Sequence, residues 1–269
     1  MEYNKYLFLL LTIIIAAASP TAATANVSAI YAFGDAIFDA GNNNMLPTIC
    51  RSNHQPYGID FPGKIASGRF TDGVLPADIL ISYLGIKTFL PAYLDPALTD
   101  DDLHTGVSFA CSCSGLDELT AMEKLQERGA RRFAIIGMPP LGCLPMDVTL
   151  NEAKRECVKA HNSEAEAYNV KLQDLIKHLL VDMPRSKLVY VDIYNPIMSM
   201  VNNPKQFGLE HTLEGCCGSL ELGPLCSIFS HTCPDPSKYL FWDAAHPTQA
   251  TYKILTKSFE DRLLSTLLS

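Results

Sequence analysis

The stretch AIYAFGDAIFDAGNNN, Ala29 to Asn44, sets the fold class. Its apolar run Ala29–Phe33 is short, and Gly34-Asp35 ends it, which reads as a buried strand feeding a turn. Two further runs read the same way: Arg132 to Gly137 (RFAIIG), stopped by Pro139-Pro140, and Lys187 to Asp192 (KLVYVD). Between and after them lie helical patterns. Pro76 to Leu84 carries proline in its first turn. A long helix is expected from the spacing of Cys157, His161, Ala165, Tyr168, Leu172, Leu175 and Leu179, and a last one begins at Pro247 with Tyr252, Leu255, Phe259 and Leu263 as its apolar stripe. Residues 41–73, rich in Gly, Asn and Pro, are loop. Continuous apolar strands alternating with amphipathic helices predict an α/β domain with a parallel sheet between helical layers. Sites in such sheets form at the carboxyl ends of strands, where Phe33-Gly34-Asp35-Ala36 falls.

The chain has 269 residues and a formal net charge of −8, which leaves no basic surface for nucleic acid. Leu7 to Ala18 (LFLLLTIIIAAA) follows Lys5 and precedes small residues and Ala23-Thr24-Ala25, the pattern of a secretory leader over residues 1–25 rather than of an integral membrane span. The remainder, 26–269, reads as one domain of a secreted, extracellular protein, with a glycosylation sequon at Asn26. Nine cysteines in such a chain point to disulfides, and the odd count leaves one thiol over. Cys143 with Cys157, and pairs among Cys216, Cys217, Cys226 and Cys233, are the expected bridges. No cysteine pair has zinc-ligand spacing with histidines nearby.

Near the C-terminus, FWDAAHPT (241–248) sets Asp243 three residues before His246, ahead of a helix start, a spacing that by itself fits a loop histidine near a solvated acid better than a catalytic pair. An aspartate that fixes an imidazole tautomer is the logic of a catalytic triad, and a helix N-terminus beside His246 favours the neutral ring a base needs. The GNNN run at 41–44 admits two readings, a polar ligand site or a turn held by asparagine side chains.

FGDAIFDAGNNN (33–44), PYGIDFPGKIASGRFTDG (56–73), LHTGVSFA (103–110), GARRFAIIGMPPLGCLP (129–145), GCCG (215–218) and FWDAAHPT together resemble the plant GDSL esterase/lipase family of the SGNH hydrolases. The resemblance implies a three-layer, flavodoxin-like SGNH-hydrolase fold, an acyl-ester or lipid substrate, and no cofactor or metal. It implies that His246 is the general base and Asp243 its orienting partner. Three departures accompany it. Ala36 stands where the family has its nucleophilic serine. Cys113 takes the place of the oxyanion-hole glycine, so that a backbone N–H remains but a Cβ is added. The family's Gly-x-Asn-Asp block has no counterpart, as though an internal deletion near residue 120 left the fold incomplete. The expected consequence is a non-catalytic relative, with a decayed or truncated gene product as the competing reading. Cys111 and Cys113 lie in the right neighbourhood to serve as alternative nucleophiles, but nothing in the sequence sets a base against them. Transcripts read across Glu118 to Glu123 are expected to join Thr120 to Met122 through Ala121 alone; an inserted block carrying Gly-x-Asn-Asp would overturn that expectation.

Overall fold

The structure is a computed structural model describing residues 27–113, 125–126, 129–151, 155–218 and 225–269. The expected leader over 1–25, the sequon at Asn26 and the short junction near 120 lie outside the described residues. Along the chain come α1 (Pro76–Tyr83), α2 (Asp100–Thr105), β1 (Arg132–Ile136), α3 (Pro145–Leu150), α4 (Lys159–Asp182), β2 (Lys187–Val191), α5 (Tyr194–Asn202), β3 (His211–Gly215), β4 (Tyr239–Phe241) and α6 (Gln249–Leu268).

The pleat of β1 and β2 builds the layers. The two strands pair in parallel, Arg132 opposite Lys187 through Ile136 opposite Val191. Alternate side chains point to opposite faces. Phe133, Ile135, Leu188 and Tyr190 pack on Leu172, Ile176 and Leu179 of α4, while Ile136, Val189 and Val191 pack with Ile197 and Met200 of α5 and with Tyr252, Leu255 and Leu263 of α6. A parallel sheet between helices is therefore present, as the strand runs predict.

The sheet is in pieces. Ser108 bridges Ala32 and Ala92, both in parallel; β1 pairs with β2; β3 pairs with β4, also in parallel. Among the described residues no ladder joins these groups. The run Ala29–Phe33, expected as a buried strand, contributes the single bridge at Ala32, and its neighbours Tyr31 and Phe33 are 48% and 42% exposed. Among the described residues this segment is bonded along one edge, to residues 107–111, and no second strand pairs with its other edge. This is an incomplete version of the α/β fold.

The long helix departs from its predicted stripe. Its buried face is Asn162, Ala165, Asn169, Leu172, Ile176 and Leu179, so Tyr168 turns outward and Cys157 lies before the helix. Two asparagines occupy buried positions because each satisfies backbone groups. Asn169 accepts from Met138 N (2.6 Å) and donates to Met138 O (2.9 Å), and Asn162 Oδ1 accepts from Gly142 N (2.9 Å). A polar side chain is tolerated in a core once its hydrogen bonds are made.

The first segment is fastened to its neighbours by polar side chains. Asn42 Nδ2 donates to the carbonyls of Ser108 and Ala110, both at 2.8 Å, and Oδ1 accepts from Leu94 N at 2.9 Å. Asp39, wholly buried, accepts from Gly41 N, Asn42 N and Ser112 N. Asn43 Nδ2 joins Cys50 O to Ser112 O, the same two segments that the Cys50–Cys113 disulfide crosslinks. Gly41, at φ 126°, has no room for a side chain: a Cβ would lie 2.5 Å from Ser67 O. The GNNN run is thus a structural turn, the second of its two readings. Disulfides also join Cys143–Cys157, Cys216–Cys233 and Cys217–Cys226, leaving Cys111 free. Nothing in the sequence marked Cys50–Cys113.

Replacing Asn42 with alanine strands the Ala110 carbonyl and the Leu94 N–H in the interior at about 1–3 kcal/mol each, while the Ser108 carbonyl keeps its bond from Tyr93 N. Urea unfolding is expected to show Asn42→Ala destabilised by at least about 2 kcal/mol; a change under 1 kcal/mol would contradict the clamp.

Candidate active site

The loop between β4 and α6 carries Asp243 and His246, and the sequence makes it rigid from both ends. Upstream, Phe241 and Trp242 are buried and their carbonyls accept from Cys216 N (3.0 Å) and Cys217 N (2.6 Å). Gly215 lies directly against Asp243, where a Cβ would come within 2.6 Å of the Asp243 carbonyl oxygen. Downstream, Thr248 rather than Pro247 caps α6, accepting from Thr251 N. The PYG…FTDG segment embraces the same loop: Thr71 Oγ1 donates to Pro247 O (3.0 Å), and Asp72 accepts from Gln249 N (2.7 Å), the first residue of α6. Burial pushes the Asp72 carboxyl up to about 6, with the charge of Asp60 adding to the effect against the hydrogen bonds from Gln249 and Thr71.

Asp243 is completely buried and fully bonded. Oδ1 accepts from Ala245 N (2.9 Å) and His246 N (2.8 Å), and Oδ2 accepts from the Tyr57 hydroxyl (2.8 Å). His246 Nδ1 lies 2.9 Å and 2.8 Å from the two oxygens. A carboxylate accepts only, so Nδ1 carries the proton and Nε2 is left as the basic nitrogen. The two residues predicted as a pair are one unit in space.

Ala36 is buried in a cluster with Tyr57, Phe70, Trp242, Cys216, Cys217 and Cys226. The Phe70 ring lies 5.1 Å from the His246 ring, centroid to centroid, and Asp35, next to Ala36, is near enough for its charge to act on the imidazole. The turn after the first segment and the histidine loop therefore meet, with a methyl group at residue 36. Cys113 has φ 62°, in the left-handed region where glycine is at ease and a side chain is strained. Its sulfur is bound to Cys50, so it offers no thiolate. Cys111 keeps its thiol, but burial and the charge of Asp39 push its pKa up, away from the ionised nucleophile.

Among the described residues the buried asparagines are Asn42, Asn43, Asn162 and Asn169, and the side-chain amide of each bonds within the scaffold. None is left to donate to a substrate oxygen.

Comparison with known proteins now bears on this loop. A family model described as GDSL-like Lipase/Acylhydrolase matches residues 115–259, which include Asp243 and His246. The GDSL esterase/lipase At2g40250 of Arabidopsis thaliana is 37% identical over 85% of this chain and 88% of its own length. The chain belongs to the GDSL esterase/lipase family. Two further Arabidopsis thaliana members, the GDSL esterase/lipases At2g31540 and EXL3, are each 33% identical, over 95% and 85% of this chain and 96% and 85% of their own lengths. The alignment with At2g40250 runs over 316 positions, more than the 269 residues available, so part of that relative has no counterpart inside the matched region. This agrees with the broken sheet. Among the described residues no helix is long and apolar enough to cross a membrane.

Sequence reasoning missed Tyr57, Phe70 and Trp242 as parts of the site, although all three lie in the quoted family blocks. It also expected the helix terminus to favour a neutral His246. Burial does push the imidazole toward the neutral form, but the charge and hydrogen bond of Asp243, with the charge of Asp35, outweigh it and hold the pKa above the ordinary 6.5. The contribution of His246 to stability is then complete below about pH 6.5 and is lost as pH rises through the elevated value. Proton NMR of the His246 ring is expected to give a midpoint above 6.5, and the stability deficit of His246→Gln should be largest in acid and shrink above that midpoint. A midpoint below 6.5 would contradict the arrangement.

Proposed function

We propose that this chain is a secreted GDSL-family protein that no longer hydrolyses esters and keeps its pocket for binding an acyl-ester or lipid ligand. The observation that carries the proposal is a methyl side chain at residue 36 beside an intact His246–Asp243 pair. Ester hydrolysis of the family type begins with attack by a serine oxygen and passes through an oxyanion held by aligned donors. Without the nucleophile, a serine hydrolase loses about 2 × 10⁶ in turnover, on the order of 8–9 kcal/mol. Each missing oxyanion donor costs roughly a further 3 kcal/mol. Here the serine is replaced, the asparagine has no counterpart, and the residue in the glycine's place is a strained, crosslinked Cys113.

Secretion is supported by the leader pattern and by four disulfides, which persist in oxidising compartments. Retention of a binding role, rather than decay, is supported by the finish of the histidine loop: Asp243 has a partner for each oxygen, and Tyr57, Phe70 and Trp242 are packed around it with no exposed surface.

The protein purified from a secreting host is expected to cleave short-chain nitrophenyl esters no faster than buffer, and Ala36→Ser is expected to recover little, since the oxyanion donors stay missing. Wild-type turnover that disappears in His246→Ala would overturn the proposal. A soluble, monodisperse protein that binds a fluorescent fatty-acyl ester without consuming it is the expected result.

A further inference from the structure

We propose that Tyr57 is a positioning residue for His246, and that Cys226, crosslinked to Cys217, sets it in place. The inference rests on the reading of His246 and Asp243 as the working pair of the site. Tyr57 is wholly buried, 169 residues from Cys226 and 186 from Asp243 in sequence, and touches both. The Cys226 N–H donates to the Tyr57 oxygen at 3.1 Å, and that oxygen stands 2.8 Å from Asp243 Oδ2. Because the phenol oxygen receives the amide proton, its own proton is directed at the carboxylate. The chain of donors therefore runs one way, from Cys226 N–H through the Tyr57 hydroxyl to Asp243, which receives the Nδ1 proton of His246 from the other side.

This direction has two effects. It fixes the histidine tautomer, leaving Nε2 as the acceptor nitrogen of the neutral ring. It also adds a side-chain donor for the negative charge of Asp243 beside the two loop amides and the imidazole, so that the imidazole stabilises less of it. Burial and the adjacent Asp243 charge keep the Tyr57 phenol protonated throughout the working pH range, so the hydroxyl does not lapse as a donor. Edge-on contacts with Phe70 and Trp242, at 5.9 Å and 6.4 Å between ring centroids, hold the phenol ring in register with the carboxylate. The Cys226 amide is held in turn by its disulfide to Cys217, whose own N–H bonds the carbonyl of Trp242 one residue before Asp243. Both ends of the relay are thus anchored on the crosslinked pair Cys217 and Cys226, which gives the GCCG run a function beyond crosslinking.

The charged groups acting on the imidazole are Asp243 from its own loop and Asp35 from the turn beside Ala36. Removing the Tyr57 hydroxyl leaves both charges and deprives Asp243 of a donor, so His246 must stabilise the carboxylate more. In the full secreted chain, Tyr57→Phe is expected to raise the NMR titration midpoint of His246 by about half a unit or more. The paired variant Cys217→Ala/Cys226→Ala, which frees the amide, is expected to shift it in the same direction. Asn169→Ala, destabilising but remote, should leave the midpoint where it is. A folded Tyr57→Phe protein with the wild-type midpoint overturns the proposal; should that variant not fold, an unchanged midpoint in the cysteine pair overturns it instead. The readout is the protonation of one ring, so a wild-type chain found to hydrolyse esters would end the proposed function and leave this inference standing.

Discussion

A carboxylate sealed from solvent organises this protein. Asp243 has no exposed surface, and an ionised group so placed costs several kcal/mol unless its oxygens find donors. Two backbone amides, a tyrosine hydroxyl and an imidazole meet that demand, and they are drawn from the loop itself and from the PYG segment nearly two hundred residues earlier. The need to satisfy one charge therefore ties the N-terminal half of the chain to the C-terminal helix. The disulfides at 216–233 and 217–226, the close approach of Gly215 and the cap at Thr248 make the loop rigid enough for those bonds to persist.

The rest of the fold is less complete than this site. The sheet survives as separate parallel groups, and Tyr31 and Phe33 lie open beside a segment paired on one edge. An open strand edge with apolar flanks is a liability for association. Side-chain amides and crosslinks replace part of the lost pairing: Asn42 and Asn43 fasten the first segment to residues 94, 108, 110 and 112, and Cys50–Cys113 closes the same seam. A second buried ion pair helps where α1 begins. Arg69 grips both oxygens of Asp78 at 2.7 Å and 2.8 Å, while the same carboxylate accepts the amides of Leu75 and Leu90.

Much of this was legible in the sequence because it follows from local rules. The runs at 132–136 and 187–191, the proline-led α1 and the apolar residues of α6 needed only periodicity, whereas the pairing of Asp243 with His246 came from the resemblance of the FWDAAHPT block and not from its three-residue spacing. What escaped depends on distant partners. The Ala29–Phe33 run has the composition of a buried strand, but burial is conferred by neighbours, and a composition cannot report that one is missing. Asn162 and Asn169 fall on the core face of α4 because backbone groups elsewhere need them, which no hydrophobic pattern records. Tyr57 was invisible as a site residue for the same reason, and the direction of the His246 shift depended on weighing two carboxylates against burial.

The central proposal is chemical: the alanine at residue 36 offers no atom that can attack an acyl carbon, and the chain therefore does not hydrolyse esters. Covalent trapping tests it most directly. Exposure of the native secreted protein to a fluorophosphonate, followed by intact-mass measurement, is expected to leave the mass unchanged. A stoichiometric adduct that forms in the native chain and fails to form in His246→Ala would show a working nucleophile and contradict the account.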